Sequence, residues 1–521
     1  MPVSIDIIPF SDSLDMYGEA DPSSAFSLAG HVSVSLTSSP SMFQRRRSTT
    51  RIMLQSLTVT FEGQSEVITP EIAYAPLRLC SITRELVHGE PVDLSNEGHE
   101  DSDKPCSWNV IFDIQVPGWL PTTSVYGDSA SEEIGTRYAL YATATFVYLE
   151  DPSSRSFSIS TLCAPFRYKT RSAHAPRCPI TLNRFTDSPA VPSSSTSLFP
   201  MSVYLVDAQR QQNEAPAASP IIPPEVLKKV QVVASIPSAV TTDEATLPFT
   251  LRLRAKDMDD SHRDRLRVTG FSIDVEQIET YRSSASRERG SRFPVPPRSN
   301  QPPKAPLRLA HSAHTLLNVG LLTTPLPPKP TTERAFSLLP PQESGRYNIS
   351  GDGYVFKRDA PTSTPPPAEE NWYILETSVP LSREAYQLDW CGPRSRRTSE
   401  NSPLFGVQHF MYVSVQCVYD LEGEGPVTER LQFSLPMRFV RVQAEAPVPC
   451  DGAAPGSDPG VGLQKSAPYA QSLPAYSQLF HSNGERKIDY SIPLPLYEPP
   501  SPSSATSSSF SLGDSEDEYT P

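Results

Sequence analysis

The chain has 521 residues, a formal net charge of −14, 56 prolines and 37% hydrophobic residues. Proline is about twice as frequent as the roughly 5% of average proteins, and the hydrophobic share lies below the usual range of about 45–50%. The length accommodates two or more domains, but a sizeable part of the chain is expected to be linker. The acidity argues against nucleic acid as a partner, and the lack of an apolar run of 18 residues excludes a spanning helix.

Cysteine usage and the amino terminus both favour a cytoplasmic protein. The seven cysteines are spread from Cys80 to Cys450 without a C-x-x-C pair, which favours reduced thiols over disulfides or a zinc site. Residues 1–6 show no basic region followed by an apolar one, so no signal peptide is expected. No G-x-S-x-G or phosphate-loop motif occurs, and the neighbouring His311 and His314 lack carboxylate or cysteine partners in the sequence. We therefore expect neither catalysis nor a metal or other cofactor.

Alternating apolar residues, which give a strand one buried face, predict a β-sandwich lobe over residues 1–170. The alternation includes Val32, Val34 and Leu36; Leu57, Val59 and Phe61, before an expected turn at Glu62-Gly63; Val110, Phe112, Ile114 and Val116; and Leu140, Ala142, Ala144, Phe146 and Tyr148. No convincing long segment with a helical period interrupts these strands.

A second sandwich lobe is predicted over residues 226–443, after a Ser- and Pro-rich connector at 171–225 with one candidate strand at 202–206. Its alternation includes Val230, Val232, Ala234 and Ile236; Leu247, Phe249, Leu251 and Leu253; Phe271, Ile273 and Val275; and later strands at 373–379, 411–417 and 431–440. Residues 281–345 lose this periodicity and are proline-rich, so we expect a disordered insertion between strands there. The predicted fold class is thus all-β, with two consecutive sandwich lobes, a disordered insertion and a disordered tail at 444–521.

Charge is unevenly distributed between the insertion and the tail. Residues 281–345 hold nine Lys and Arg against three Glu, whereas residues 444–521 hold ten acidic groups against three basic ones. The basic run is interpreted as a solvated loop. An anionic membrane surface and the acidic tail are the two alternative partners for it.

The tail contains two copies of the pattern Leu-Pro-x-Tyr. They are Leu473-Pro474-Ala475-Tyr476 and Leu494-Pro495-Leu496-Tyr497, and the second continues into further prolines. Because proline restricts φ, such segments already resemble the polyproline II ligands that aromatic grooves bind. The pattern is similar to the P-P-x-Y ligand of WW domains, with Leu in place of the first Pro, which is expected to weaken each copy.

Local patterns in the first lobe resemble those of an arrestin, in the order in which that family has them. The matching segments are 29–34 (AGHVSV), 52–63 (IMLQSLTVTFEG), 108–117 (WNVIFDIQVP), 120–123 (LPTT) and 135–142 (GTRYALYA). The sequence departs from the family pattern at His31, where an acidic residue is usual, and at Ser33. The match covers residues 25–170, whereas residues 226–443 match by strand order. With the tail motifs added, the chain is similar to the fungal α-arrestins, which are trafficking adaptors.

The resemblance implies that the lobes bind the cytosolic regions of a membrane transporter or receptor, and that the tail recruits a HECT-class ubiquitin ligase through its WW domains. The cargo is then ubiquitinated and internalised. Pro474 and Pro495 are expected to bind in the aromatic groove of a WW domain, and Tyr476 and Tyr497 in the neighbouring pocket. Such an adaptor is cytoplasmic, is recruited to the plasma membrane and endosomes, and associates with membranes only peripherally.

Three serines lie in contexts that protein kinases prefer. Ser48 and Ser399 follow arginines, and Ser515 lies in an acidic run. A phosphate adds a charge of about −1.5 to −2, and at Ser399, in the polar loop 393–403, it is expected to create a docking site for a 14-3-3 protein. The alternative for each serine is a solvated charged segment that is not modified.

Two other classes of function stay open. An arrestin-fold sorting scaffold, of the retromer or pH-signalling type, would use the lobes for assembly without WW ligands. A hydrolase on a β-sandwich is disfavoured by the missing motif. Binding of WW domains by the tail discriminates between the adaptor and the scaffold.

Overall fold

Two packed pairs of β-sheets account for nearly all the regular structure in the computed structural model of the chain. The structure describes residues 3–37, 49–99, 104–126, 134–149, 170–187, 197–207, 209–210, 221–285, 292–310, 329–349, 351, 353–356, 372–389, 392–423 and 425–443. Both pairs of sheets lie within the compact unit Met1–Ala446. The predicted all-β sandwich fold is confirmed.

The first lobe packs a three-stranded sheet against a larger one. Its strands are β1 (Val3–Pro9), β2 (Ser13–Tyr17), β3 (Ala25–Leu36), β4 (Arg51–Thr69), β5 (Ala73–Val87), β6 (Val92–Ser95), β7 (Cys106–Pro117), β8 (Ser124–Tyr126), β9 (Ile134–Tyr148), β10 (Arg171–His174) and β11 (Cys178–Phe185). The small sheet has the order β1-β3-β7, and the larger one follows β2-β11-β9-β4-β5, with β8 and β10 on β9 and β6 on β4. Only β2 and β11 pair in parallel among these described strands.

The second lobe repeats this plan. Its strands are β12 (Met201–Val206), β13 (Gln209–Arg210), β14 (Val230–Pro237), β15 (Val240–Thr241), β16 (Thr246–Ala255), β17 (Leu266–Arg282), β18 (Thr331–Ser337), β19 (Arg346–Asn348), β20 (Tyr354–Val355), β21 (Tyr373–Pro380), β22 (Glu384–Asp389), β23 (Gly392–Ser395), β24 (Glu400–Asn401), β25 (Phe405–Leu421), β26 (Gly425–Met437) and β27 (Phe439–Val440). One sheet has the order β12-β14-β16-β21, and the other follows β13-β26-β25-β17-β18. Two short helices, α1 (Pro224–Leu227) and α2 (Asp260–Arg263), and a 3-10 turn at Arg298–Asn300 complete the described elements.

The predicted alternation forms the two cores. In β4, Leu57, Val59 and Phe61 are completely buried between the sheets of the first lobe. In β16 of the second lobe, Leu247 and Phe249 are buried in the same way. The candidate strand at 202–206 is β12, which pairs with β14. Each lobe thus buries its own apolar faces, as the period of two requires.

The expected boundary of the first lobe at residue 170 is wrong. Strands β10 and β11, which lie in the predicted connector, pair with β9 in the large sheet of the first lobe. Ile180 and Leu182 of β11 are buried in that lobe's core. The apolar alternation around Ile180 and Leu182 is too short to predict a strand, because Pro179 and polar residues surround them. Pairing with β9, which is distant in sequence, stabilises the strand.

The expectation of a disordered insertion over 281–345 is wrong for its described part. Residues 331–337 form β18, which pairs antiparallel with β17. Residues 292–310, hereafter the strap, lie against the first lobe, where Phe293 is 2% exposed and its ring centroid lies 5.7 Å from that of Trp119. Prolines remove the donors of a strand ladder but leave an extended chain able to pack. Residues 286–291 and 311–328, like the tail, lie outside the described residues.

The expected turn at Glu62-Gly63 is also wrong, because β4 continues through Gly63 to Thr69. A β-bulge follows Gly63 in its pairing with β5. A Cβ atom at this position would lie 2.5 Å from the ring of Tyr138, whose hydroxyl donates to the carbonyl of Pro121 at 2.7 Å. The glycine is therefore required by side-chain packing and not by chain reversal.

We predict that Gly63→Ala destabilises the protein by about 1–3 kcal/mol, the usual cost of an overpacked core. Urea unfolding measures the change. In a Tyr138→Ala background the same substitution should cost much less, because the opposing ring is gone. Equal costs in both backgrounds would contradict the proposed clash.

Candidate functional site at the lobe junction

Most of the predicted site residues lie outside the described part of the chain. They are Leu473, Pro474, Tyr476, Leu494, Pro495 and Tyr497 of the tail motifs, together with Ser48 and Ser515. The structure describes Ser399, and it places this serine at the contact between the two lobes. The junction is therefore the candidate site that the geometry can describe.

A small apolar cluster lies at the centre of this junction. The first lobe contributes Val67, Ile68, Ile72, Ala75 and Ile134, and the second lobe contributes Tyr281, Leu404, Phe405 and Val407. All nine are less than one-tenth exposed. The two sandwiches therefore share a buried interface in addition to their own cores.

Ser399 belongs to a buried hydrogen-bond network in the second lobe. The backbone N–H of Phe439 donates to Ser399 Oγ at 2.9 Å, and this oxygen lies 2.9 Å from Nδ1 of His409. His409 Nε2 lies 3.1 Å from Oε1 of Gln277. Since an amide oxygen only accepts, we assign the proton to Nε2, so that Nδ1 accepts from the Ser399 hydroxyl. The alternative of a solvated charged segment is wrong for Arg396–Ser399, because Ser399 is half-buried and its hydroxyl is engaged.

His409 is 1% exposed and its ring packs against Phe439 with a centroid distance of 4.4 Å and an interplanar angle of 46°. Burial, and secondarily the charge of Arg396, lowers the pKa of His409 from 6.5 to about 3. The imidazole is therefore neutral over the physiological range, as its place in the network requires.

The network continues from Gln277 to the carboxylate of Glu279, whose side chain is 1% exposed. Oε1 of Glu279 accepts from Gln277 Nε2 at 2.8 Å and from Arg397 Nε at 3.1 Å. Oε2 accepts from the Tyr281 hydroxyl at 2.6 Å and from Arg334 Nη1 at 3.3 Å. Four donors thus compensate for the loss of water around one buried charge.

Arg397 and Glu400 connect this network to the first lobe. Nη1 of Arg397 donates to Ser124 Oγ and to the carbonyl of Val125, both at 3.2 Å. The carboxylate of Glu400 accepts from the N–H and the hydroxyl of Thr122, both at 2.8 Å. Desolvation raises the pKa of Glu400, although the bonds from Thr122 oppose this shift. The segment that contains Ser399 therefore joins the lobes.

Arg396 lies beside this network, but its guanidinium group is not hydrogen-bonded to it. The residue is 8% exposed, and its three guanidinium nitrogens have no hydrogen-bond partner among the described residues. Its guanidinium carbon lies 5.8 Å from the centroid of the Phe439 ring. Burial, together with the charge of Arg383, lowers the pKa of Arg396. The two arginines that precede Ser399 are thus part of the folded junction, so a kinase or a 14-3-3 protein reaches this segment only if it leaves the junction.

The strap lies on the outer face of the large sheet of the first lobe. Backbone N–H and C=O of Arg78 both bond the side-chain amide of Gln301 at 2.8 Å. The Arg78 guanidinium donates to strap carbonyls, among them that of Pro306 at 2.7 Å. The carbonyl of Leu309 accepts from Gln64 Nε2 at 2.8 Å and from Arg137 Nη2 at 3.1 Å. The strap is therefore attached mainly through its backbone carbonyls.

The described residues offer no cluster for a metal ion, and two of their cysteines are buried. No group of three or more His, Cys, Asp or Glu within them could hold a metal ion. Burial raises the pKa of the Cys80 and Cys417 thiols to about 12, which makes both unreactive as nucleophiles near neutral pH. In the same part of the chain, no helix has the length and apolar character needed to cross a membrane. What the junction does chemically is to join two lobes through buried polar contacts.

The sequence interpretation missed Gln277 and Glu279, although a signal was present. Both residues continue the period of two set by Phe271, Ile273 and Val275, so they occupy the buried face of β17. Polar residues in phase with a core predict a buried polar contact. Their partners, Arg334 and Arg397, are more than 50 residues away and carry no comparable signal.

A scan against protein-family models and a search of curated proteins both find no match for this chain.

We predict that Glu279→Gln lowers the free energy of unfolding by about 3–5 kcal/mol, because Arg334 stays buried without its counter-charge and the new amide opposes existing donors. Chemical denaturation measures the change. Glu276→Gln, on the same strand but partly exposed, is the matched control and should change stability by less than about 0.5 kcal/mol. Similar effects of the two substitutions would show that the network contributes nothing specific.

We also predict that His409 makes stability depend on pH. The pKa of His409 is about 3 in the folded protein, compared with an ordinary value of 6.5 that we take for the unfolded chain. The contribution of neutral His409 to the free energy of unfolding is therefore complete above pH 6.5 and is lost as the pH falls toward 3. The unfolded chain takes up the extra proton in this window, at up to about 1.4 kcal/mol per pH unit.

Urea unfolding at several pH values should therefore give His409→Gln a shallower decline in stability below pH 6.5 than wild type shows. His174→Gln, at an exposed position of β10, is the surface control. If wild type and His409→Gln lose stability in parallel on acidification, His409 does not carry the predicted proton linkage.

Proposed function

We propose that this protein is an adaptor of the α-arrestin type, which recruits a WW-domain HECT ubiquitin ligase to transporters or receptors at the plasma membrane. The observation that carries the proposal is a tandem of two sandwich lobes followed in sequence by a tail with two Leu-Pro-x-Tyr motifs. The lobes bind the cytosolic regions of the cargo, and the tail binds the ligase. Ubiquitination of the cargo then leads to its endocytosis.

The geometry of the two-lobe body supports this division of labour. The lobes share the apolar cluster at the junction, and their polar contacts join Arg397 and Glu400 to the first lobe. The last described residues are also attached to the first lobe, since Tyr17 donates to Gln443 at 2.8 Å and the N–H of Thr186 donates to the carbonyl of Arg441 at 2.9 Å. A tail that follows Gln443 therefore starts from a fixed point on the body.

Each tail motif supplies a short extended ligand for a WW domain. Proline preorganises the segment, and the tyrosine three positions after the leucine adds a ring and a hydroxyl for a second pocket. Leu in place of a first proline makes each motif weak. The two tyrosines are 21 residues apart, a separation that a flexible chain spans over about 25 Å, so both motifs can engage neighbouring WW domains and gain avidity.

Phosphorylation of Ser399 is the regulatory part of the proposal. The free hydroxyl donates to His409, so a phosphate at Oγ removes that donor and adds charge inside the junction. Binding of the phosphorylated segment by a 14-3-3 protein then requires residues 396–399 to detach from the second lobe. Such an adaptor is cytoplasmic and reaches the plasma membrane and endosomes through its cargo.

We predict that Tyr476→Ala and Tyr497→Ala each reduce ligase recruitment partially, whereas the double change abolishes it, with a loss of about 100-fold or more, because avidity disappears with the second site. Pull-down of the full-length protein with tandem WW domains measures binding. Tyr→Phe should be milder than Tyr→Ala, since the ring remains. In cells the double variant should leave its cargo at the plasma membrane without ubiquitin.

Tyr469→Ala and Tyr490→Ala, in the same tail but outside the motifs, are the matched controls and should bind as wild type does. Normal cargo internalisation by the double variant at wild-type abundance would refute the adaptor and favour the sorting scaffold, which needs no WW ligand.

A further inference from the structure

The strap has two chemically different faces. Its inner face is formed by Phe293 and Leu307, both less than one-tenth exposed, and by the half-buried Gln301 that bonds β5. Its exposed residues include all four charged residues of the segment, and these are Arg292, Arg298, Lys304 and Arg308. No acidic residue occurs in 292–310. The inner contacts thus fix a row of positive charges on the surface of the first lobe.

Three of these charges are available for a partner. Arg308 is paired with the buried carboxylate of Glu62 at 3.1 Å, and its guanidinium lies 4.7 Å from the centroid of the Tyr141 ring. Arg292, Arg298 and Lys304 are exposed and form no ion pair with another described residue. A charge without a counter-charge at a surface attracts an anionic partner over about one Debye length, roughly 10 Å at 0.1 M salt.

The sign and exposure of the three charges indicate the chemistry of that partner. They lie at intervals of six residues along the strap, and Arg298 begins a 3-10 turn that ends at Asn300, before Lys304. Two grooves among the described residues are formed by residues of the second lobe, and neither includes a residue of the strap. Exposed positive charges with no acidic residue among them are complementary to an anionic surface.

We propose that the outer face of the strap docks on an anionic phospholipid surface through Arg292, Arg298 and Lys304. The net charge of −14 does not prevent this, because acidic groups farther than a Debye length from the lipid are screened while the strap is in contact with it. The strap is already ordered by its inner contacts, so docking costs little conformational entropy. In the docked protein, the face of the first lobe that the strap covers is turned toward the lipid.

This inference deepens the proposed function and rests on it in one respect, namely that the protein works beside a membrane. Cargo embedded in a membrane presents its cytosolic regions beside a negatively charged leaflet, which attracts basic segments. The strap would hold the body against that leaflet while the tail remains free to bind the ligase. Docking on lipid and binding of WW domains use different residues and can fail separately.

The test uses the full-length protein and vesicles of phosphatidylcholine with or without phosphatidylserine, in a flotation assay at two salt concentrations. Wild type should float with the anionic vesicles only, and less at high salt. In the triple variant Arg292→Gln, Arg298→Gln, Lys304→Gln the partition coefficient should fall about 100-fold, because each basic group near such a surface changes binding about fivefold.

Two controls separate a local effect from a general one. The triple variant Lys228→Gln, Lys256→Gln, Arg430→Gln removes three exposed charges of the second lobe and should bind the anionic vesicles as wild type does. Hydrogen exchange at the strap should be unchanged in the strap variant, since Phe293, Gln301 and Arg308 are retained. The variant Tyr476→Ala, Tyr497→Ala should still float, and the strap variant should still bind WW domains.

Equal flotation of wild type and the strap variant would overturn the proposal, as would equal losses in the strap and second-lobe variants. A further probe is an immobilised peptide of residues 510–521, which is acidic. Capture of wild type by this peptide with no flotation on anionic vesicles would overturn lipid docking and assign the basic row to an acidic protein segment instead.

Discussion

The buried carboxylate of Glu279 is the interaction on which the arrangement of the two lobes depends. Removing a carboxylate from water is costly, and the cost is offset only if every lone pair finds a donor. Here Gln277, Tyr281, Arg334 and Arg397 supply those donors, and Arg397 also bonds the first lobe. Apolar contacts at the junction are not directional, so they favour close contact in many positions. The charge network selects one position among them, because any other leaves a buried charge unsatisfied.

The strap supplies hydrogen-bond acceptors to buried arginines of the first lobe. Arg78 and Arg137 lie on a sheet face where they are nearly buried, and guanidinium groups only donate hydrogen bonds. A proline-rich segment is suited to them, because proline lacks the N–H donor but keeps its carbonyl acceptor. The prolines that remove the strap from any strand ladder therefore make it a good partner for buried arginines. The strap thus covers the sheet face that contains Arg78 and Arg137, and it exposes Arg292, Arg298 and Lys304 on the new surface.

The body and the tail of the proposed adaptor depend on different kinds of interaction. In the body, long antiparallel strands, two cores and a buried junction define positions of residues that are far apart in sequence. The tail motifs need no such support, since a WW ligand is recognised as a short extended segment with proline and tyrosine. The switch proposed at Ser399 belongs to the body, because its hydroxyl bonds His409 and the neighbouring Arg397 bonds the first lobe.

The all-β class, most strands of both lobes and the tail motifs follow from the sequence alone, because alternation with period two and short linear motifs are local patterns. The docking of the strap, the need for glycine at position 63 and the assembly around Glu279 were decided by tertiary structure. Gly63 faces Tyr138, Arg78 bonds Gln301, and Glu279 bonds Arg397, so each residue depends on a partner between 75 and 223 positions away. A single sequence does not show which distant side chain will fill a gap or satisfy a charge, since that choice is made by packing and desolvation in the folded chain.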